Sequence, residues 1–130
     1  MEYRFCGSVL SDMKMIRNFV RDRILEIDDY IDDKEKLCTI KLILNELVIN
    51  GAIHGNRLDE VKNVSLMLII DKDKIYIRVK DEGAGIKYDP NSYNPNELLS
   101  DGRGLILVSN LADRLIMNEN IITAIMNLGR

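Results

Sequence analysis

Histidine is almost missing from this sequence: His54 is the only one in 130 residues. That leaves little scope for a Ser-His-Asp triad. The two cysteines, Cys6 and Cys38, lie far apart, form no C-x-x-C pair and have no histidine cluster beside them. A zinc site is therefore not expected, and the two read as buried free thiols of a reducing cytosol. Long apolar runs are lacking too. The longest, Leu66 to Ile70, is far short of a membrane span. No basic segment followed by an apolar one opens the chain, so neither secretion nor membrane insertion is expected and the reading is cytoplasmic. Net charge is −3 with no basic stripe, which argues against direct nucleic-acid binding. Several nucleotide and hydrolase signatures are absent: the G-x-x-x-x-G-K-[ST] phosphate loop, the third glycine of a dinucleotide fingerprint (Tyr88 stands there), H-R-D, D-F-G and Gly-x-Ser-x-Gly.

What is present suits one folded domain over residues 1–130: 46% apolar and 30% charged residues. At this length a single core buries enough apolar surface without staples. Tyr3 to Val9 reads as a strand. Ser11 or Asp12 caps a helix carrying Met13, Ile16, Phe19, Val20, Ile24 and Ile27 at helical spacing. Asp32, with Glu35 three residues on, resembles a capping box for a second helix. That helix reaches about Ala52, with Gly55 as a left-handed stop. Val64 to Ile70 and Ile75 to Val79 read as an antiparallel hairpin. Residues Gly83 to Ser100 hold both prolines, Pro90 and Pro95, and read as a long loop of the kind that is usually functional. A third helix through Leu105, Leu107, Val108 and Leu111 and two strands, Arg114 to Met117 and Ile121 to Leu128, complete an α+β two-layer sandwich. Its helices lie on one face of a mixed, mainly antiparallel sheet.

The second helix carries the chemistry. At about 100° per residue, Leu37, Ile40, Leu44, Leu47, Val48 and Gly51 share the face that meets the sheet. Leu42, Ile43, Ile49 and Ile53 flank the opposite side. Between them runs a polar line of Thr39, Glu46 and Asn50, the last two stacked one turn apart. A carboxylate among isoleucines is costly unless something compensates it. A cleft holding a hydrated magnesium ion would do so, with the Asn50 oxygen as ligand and Glu46 as proton acceptor. A surface pair at the edge of an apolar face is the plainer alternative, and helical geometry leaves both open.

Two glycine loops follow. Asp81-Glu82-Gly83-Ala84-Gly85-Ile86 ends a strand, where glycines let backbone approach a ligand closely and Asp81 can accept from an exocyclic amine. Asp101-Gly102-Arg103-Gly104-Leu105 opens a helix, where free N–H groups and the Arg103 charge suit phosphate. Taken singly, each is also an ordinary turn or joint.

In this order, Asn45-Glu46-Leu47-Val48-Ile49-Asn50-Gly51-Ala52-Ile53-His54-Gly55, then Asp81 to Ile86, then Gly102-Arg103-Gly104-Leu105, the chain resembles the Bergerat-fold ATPases. That is the group of gyrase, the heat-shock chaperone, sensor histidine kinases and the mismatch-repair ATPase. Within it the chain looks most like the bacterial anti-sigma factor serine kinases, by its single-domain length, its E-x-x-x-N-x-x-x-H-G box and its short loop before G-R-G-L. The resemblance implies ATP and Mg2+ as cofactors, Asn50 as metal ligand and Glu46 as general base. It implies Asp81 as the adenine reader in a pocket shaped by Gly83, Gly85 and Ile86. Gly102, Arg103, Gly104 and Leu105 would line the phosphates under a lid of residues 87 to 101. His54 takes a position typical of the subfamily, with no assigned role. One place departs: the family's Gly-Thr pair, which supports the adenine contact, is replaced by Asn118-Glu119-Asn120-Ile121-Ile122-Thr123. Thr123 is expected to be displaced and adenine binding weakened.

The leading expectation is thus a serine protein kinase that phosphorylates an antagonist protein and, by another surface, regulates a sigma factor, as a homodimer through its first strand and helix. The alternatives are a non-catalytic nucleotide-dependent binding switch, a scaffold without nucleotide, and a stand-alone ATPase acting on DNA or unfolded clients, whose relatives carry domains that 130 residues cannot hold.

Overall fold

A computed structural model describes residues 2–83 and 103–129, with Arg103 in its backbone only. Strand β1, Tyr3–Leu10, leads into helix α1, Met13–Ile27. A short 3-10 turn at Asp28–Tyr30 precedes helix α2, Lys34–Asn50, which continues as a π-helical turn over Gly51–Gly55. Strands β2 (Asn63–Asp71) and β3 (Lys74–Lys80) form the expected hairpin. Helix α3, Arg103–Leu111, and strands β4 (Arg114–Asn118) and β5 (Ile121–Asn127) follow.

The five strands lie in the order β1-β2-β3-β5-β4, and all four described pairings are antiparallel. Strand alternation decides which residues meet the helices. One cross-sheet row runs Phe5, Leu68, Ile77, Ala124, Leu115, and its neighbour runs Gly7, Leu66, Val79, Ile122, Met117. These rows face α1, α2 and α3, giving the α+β two-layer arrangement expected of the sequence. Leu68, Ile70, Ile75 and Ile77 are at most 1% exposed. Each such side chain contributes about 1.5–3 kcal/mol relative to its exposed state.

The caps differ from expectation in detail. Asp12, not Ser11, caps α1, accepting from the Met15 N–H at 3.0 Å. Ser11 is buried and bonds the Lys62 carbonyl instead. Asp33, not Asp32, caps α2, accepting from the N–H groups of Glu35 and Lys36. Both cysteines are exposed, contrary to the buried reading. Cys6 alternates with the helix-facing Phe5 and Gly7 and so points away from the core. Cys38 stands on the outer side of α2, two residues before the buried Ile40.

Helix α2 is the central element. Ile40, Leu44, Leu47 and Val48 are fully buried, as its periodicity predicts. Ile43 is fully buried as well, although the sequence placed it on the flank of the far face. The reason is α3, which packs on that side of α2 and brings Leu105 and Val108 into the same core. Lys34–Gly55 is long and apolar enough to span a membrane by length and composition alone. Here its apolar stripe packs on the sheet and against its two neighbours, while Cys38, Lys41 and Leu42 on its outer side stay exposed.

Candidate functional site

The site begins where α2 changes pitch. The Asn56 N–H reaches back to the Gly51 carbonyl at 2.8 Å, which closes the wider π turn. Such turns are rare and concentrate where function requires an altered backbone. Asn50 is the last residue before it, only 7% exposed, and its Nδ2 has no hydrogen-bond partner among the described residues. An unpaired polar atom at that depth costs about 1–3 kcal/mol, so the position favours function over stability. Glu46, one turn earlier, is half-buried on the same strip.

Asp81 approaches this turn from the sheet. It continues the alternation of Ile75, Ile77 and Val79 and so faces the helices, 3% exposed. Its Oδ1 accepts from the Gly83 N–H at 2.8 Å. Burial pushes its carboxyl above the usual range, opposed by that N–H and by the charge of Lys62. Space explains the glycines around it. A Cβ on Gly55 would run into the Asp81 carboxyl, and one on Gly83 would run into the Gly55 carbonyl. Gly55 is therefore not the left-handed helix stop that the sequence suggested; positive φ falls instead on Arg57 and Leu58.

The altered turn before β5 also has a defined place. The Asp81 N–H donates to the Asn120 carbonyl at 3.1 Å, and Asn120 Nδ2 donates to the Asp81 carbonyl at 2.5 Å. Thr123 lies across from Arg78 on the sheet face turned away from the helices, and its hydroxyl accepts from Arg78 Nε at 3.3 Å. It is displaced from Asp81, as expected, and Asn120 grips that residue instead.

The other end of the strip meets α3. A Cβ on Gly104 would collide with the Glu46 carboxylate. That carboxylate therefore lies on the first turn of α3, where helix N–H groups are unpaired and the dipole is positive. Glu46, Asn50, Asp81, Gly83 and Gly104 thus converge around the exit of α2. Leu105 is buried in the core beneath them. Gly85, Ile86, Gly102 and the side chain of Arg103 lie outside the described residues. His54 is exposed on the π turn.

Two residues at this junction carry no sequence signal. Asn56 is 1% exposed and accepts the Glu82 N–H at 2.6 Å, and the Glu82 carboxylate accepts the Asn63 N–H. A polar residue after a helix-ending glycine reads as solvated loop; only the fold reveals its burial.

The donor set fits magnesium better than a tightly caged metal. Among the described residues no three His, Cys, Asp or Glu side chains cluster as a metal cage. Magnesium held mainly by water and substrate phosphates asks for only one or two protein ligands. Asn50 could supply one through its side-chain oxygen with the amide turned about its terminal bond, while the atom left without a partner, Nδ2, is a donor that suits a phosphate oxygen.

Residues 12–126 match the model of the histidine kinase-like ATPase domain. Curated relatives include the anti-sigma F factor of Geobacillus kaustophilus, 29% identical over 103 residues, covering 75% of this chain and 68% of that protein. That of Oceanobacillus iheyensis is 30% identical over 112 residues, covering 82% and 75%. That of Clostridium perfringens is 35% identical over 86 residues, covering 62% and 61%.

Proposed function

The chain belongs to the histidine kinase-like ATPase family, and from that premise we propose that it is an ATP-binding anti-sigma regulator that acts as a serine protein kinase. The observation that carries this reading is the strip on α2, with Asn50, whose buried Nδ2 has no partner among the described residues, one turn from a carboxylate lying on the N-terminus of α3. A phosphate-bound cation fits there.

Each residue then has a task. Asp81, buried and facing the helices, accepts from the exocyclic amine of adenine, and Gly55 and Gly83 let the π turn and the loop after β3 close tightly around its carboxyl. Asn50 would hold a magnesium ion, which when bound would neutralise charge on the phosphates. The first turn of α3, with Gly104, presents backbone N–H groups to them. The family resemblance assigns adenine and phosphate binding also to Gly85, Ile86, Gly102 and the Arg103 side chain, which lie outside the described residues. Glu46 takes the proton from a serine hydroxyl of the antagonist protein as its oxygen bonds to the γ-phosphorus and the bridging oxygen leaves with ADP. Such transfer depends mostly on positioning and charge neutralisation, which these groups supply.

Anti-sigma F factors among the relatives point to a sigma factor and its antagonist as partners. A homodimer through β1 and α1 belongs to the same reading. Among the described strands β1 lies at the sheet edge, a position suited to pairing with a second copy. Neither nucleic acid nor membrane is a partner, and the setting is the cytoplasm.

The test is phosphate transfer from magnesium-ATP to a candidate antagonist protein carrying a phosphorylatable serine. Glu46→Gln is expected to slow transfer by about 100-fold or more while ATP binding persists. Transfer at the wild-type rate in that variant removes Glu46 from the mechanism. Nucleotide binding with no transfer to any partner replaces the kinase by a nucleotide-dependent binding switch.

A further inference from the structure

Every polar atom of Asn56 is engaged. Its N–H bonds the Gly51 carbonyl, and its carbonyl accepts from Asp59 N at 3.0 Å. The two hydrogens of Nδ2 go to Ser11 Oγ at 3.0 Å and the Asn63 carbonyl at 2.9 Å. Oδ1 accepts from the Glu82 N–H at 2.6 Å. One amide thus joins the exit of α2, the β1–α1 junction, the start of β2 and the loop after β3.

The contact to Glu82 has a second half. The Glu82 N–H and the Asp81 carbonyl belong to the same peptide unit, which is planar. Asn120 Nδ2 holds that carbonyl at 2.5 Å, and Asn56 Oδ1 holds the N–H. Two asparagines from different elements therefore fix one peptide plane from opposite edges. Fixing the plane fixes ψ of Asp81, and with the Asp81 N–H tied to Asn120 the residue is held on both sides. The carboxylate cannot turn by backbone rotation.

We infer that Asn56 and Asn120 form a clamp on the Asp81–Glu82 peptide that aims the Asp81 carboxylate at the adenine amine, so both are positioning residues for base recognition. This rests on the nucleotide-site reading given above. It assigns the altered turn a purpose: Asn120 supplies from the β4–β5 turn the support that Thr123, on the other sheet face, does not.

The test compares ATP with inosine triphosphate, which carries a carbonyl where adenine has its amine. Both are titrated calorimetrically with magnesium into the full chain. The wild type is expected to prefer ATP by about tenfold or more, the range of a hydrogen bond to a charged group. Asn56→Ala and Asn120→Ala are expected to lose most of that preference, through weaker ATP binding with inosine triphosphate affinity nearly unchanged. Ser11→Ala loses a contact of the same network but none to the clamped peptide. It is expected to lower the melting temperature and keep the wild-type ratio, which separates aiming from plain stability. Should Asn56→Ala fail to fold, Asn120→Ala, at a half-exposed hairpin turn, still tests the other jaw. A wild type that prefers ATP and passes that preference unchanged to a folded clamp variant overturns the clamp alone. A wild type that binds neither nucleotide overturns the site reading and the clamp with it.

Discussion

At the scale of single residues, the site is a set of polar groups held at a cost. Asp81 is the clearest. Its carboxyl is shifted upward by burial, so the folded protein favours the neutral acid. A raised folded-state value means that the stability contributed by the neutral form is complete below the ordinary carboxylate range and is lost as pH rises through the folded-state value. Above the ordinary carboxylate range the buried Asp81 carboxyl therefore works against folding. Asp81→Asn keeps an oxygen for the Gly83 N–H and removes the charge. Chemical denaturation is expected to show it more stable than wild type at neutral pH, on the order of 1 kcal/mol, with the gain vanishing in acid below the ordinary carboxylate range. ATP binding should fall in the same variant, because an amide no longer offers a charged acceptor. A variant less stable than wild type at neutral pH would mean that the anion is compensated by more than Gly83 and Lys62.

At the scale of elements, the close approach of α2 and α3 is set by glycine, and the sign of a substitution depends on what the new methyl meets. At Gly83 it meets backbone, the Gly55 carbonyl, which cannot move without opening the π turn. At Gly104 it meets the end of a flexible side chain, the Glu46 carboxylate. Alanine inside a helix is favoured over glycine by up to about 1 kcal/mol. Gly104→Ala is thus expected to leave thermal stability unchanged or slightly raised while displacing Glu46 and slowing phosphate transfer at least about tenfold. Gly83→Ala is expected to destabilise by about 1–3 kcal/mol. Paired melting and transfer assays check both. The same elements mark how far the sequence could be read. Periodicity gave the buried face of α2 and the hairpin, because those depend on local spacing. It misplaced Ile43, which owes its burial to a helix sixty residues downstream. Gly55 looked like a helix stop because spacing carries no information about Asp81 packed against it. Asn56 was invisible for the same reason: its partners Ser11, Asn63 and Glu82 come from three other segments.

At the scale of the whole molecule, ligand binding and folding are linked. Asn50, Asp81 and Gly104 come from α2, the end of β3 and the start of α3, so a nucleotide touching all three ties together segments that unfolding separates. A ligand that binds only the folded chain stabilises it by about 2.7 kcal/mol at one hundred times its dissociation constant. For a domain of this size that corresponds to roughly 10 °C in melting temperature. Magnesium alone should add almost nothing, because among the described residues the site offers it one amide and no carboxylate cage. Magnesium with ATP should give the full rise, and ATP with a chelator a smaller one. Asn50→Ala should reduce the magnesium-dependent part while keeping whatever ATP alone provides through Asp81. Differential scanning fluorimetry of the wild type and Asn50→Ala across these three conditions separates the two ends of the site. A rise of the same size with and without magnesium would place the binding energy on the adenine end and take the metal away from Asn50. No rise under any condition would leave the unpaired amide of Asn50 without a ligand to account for it.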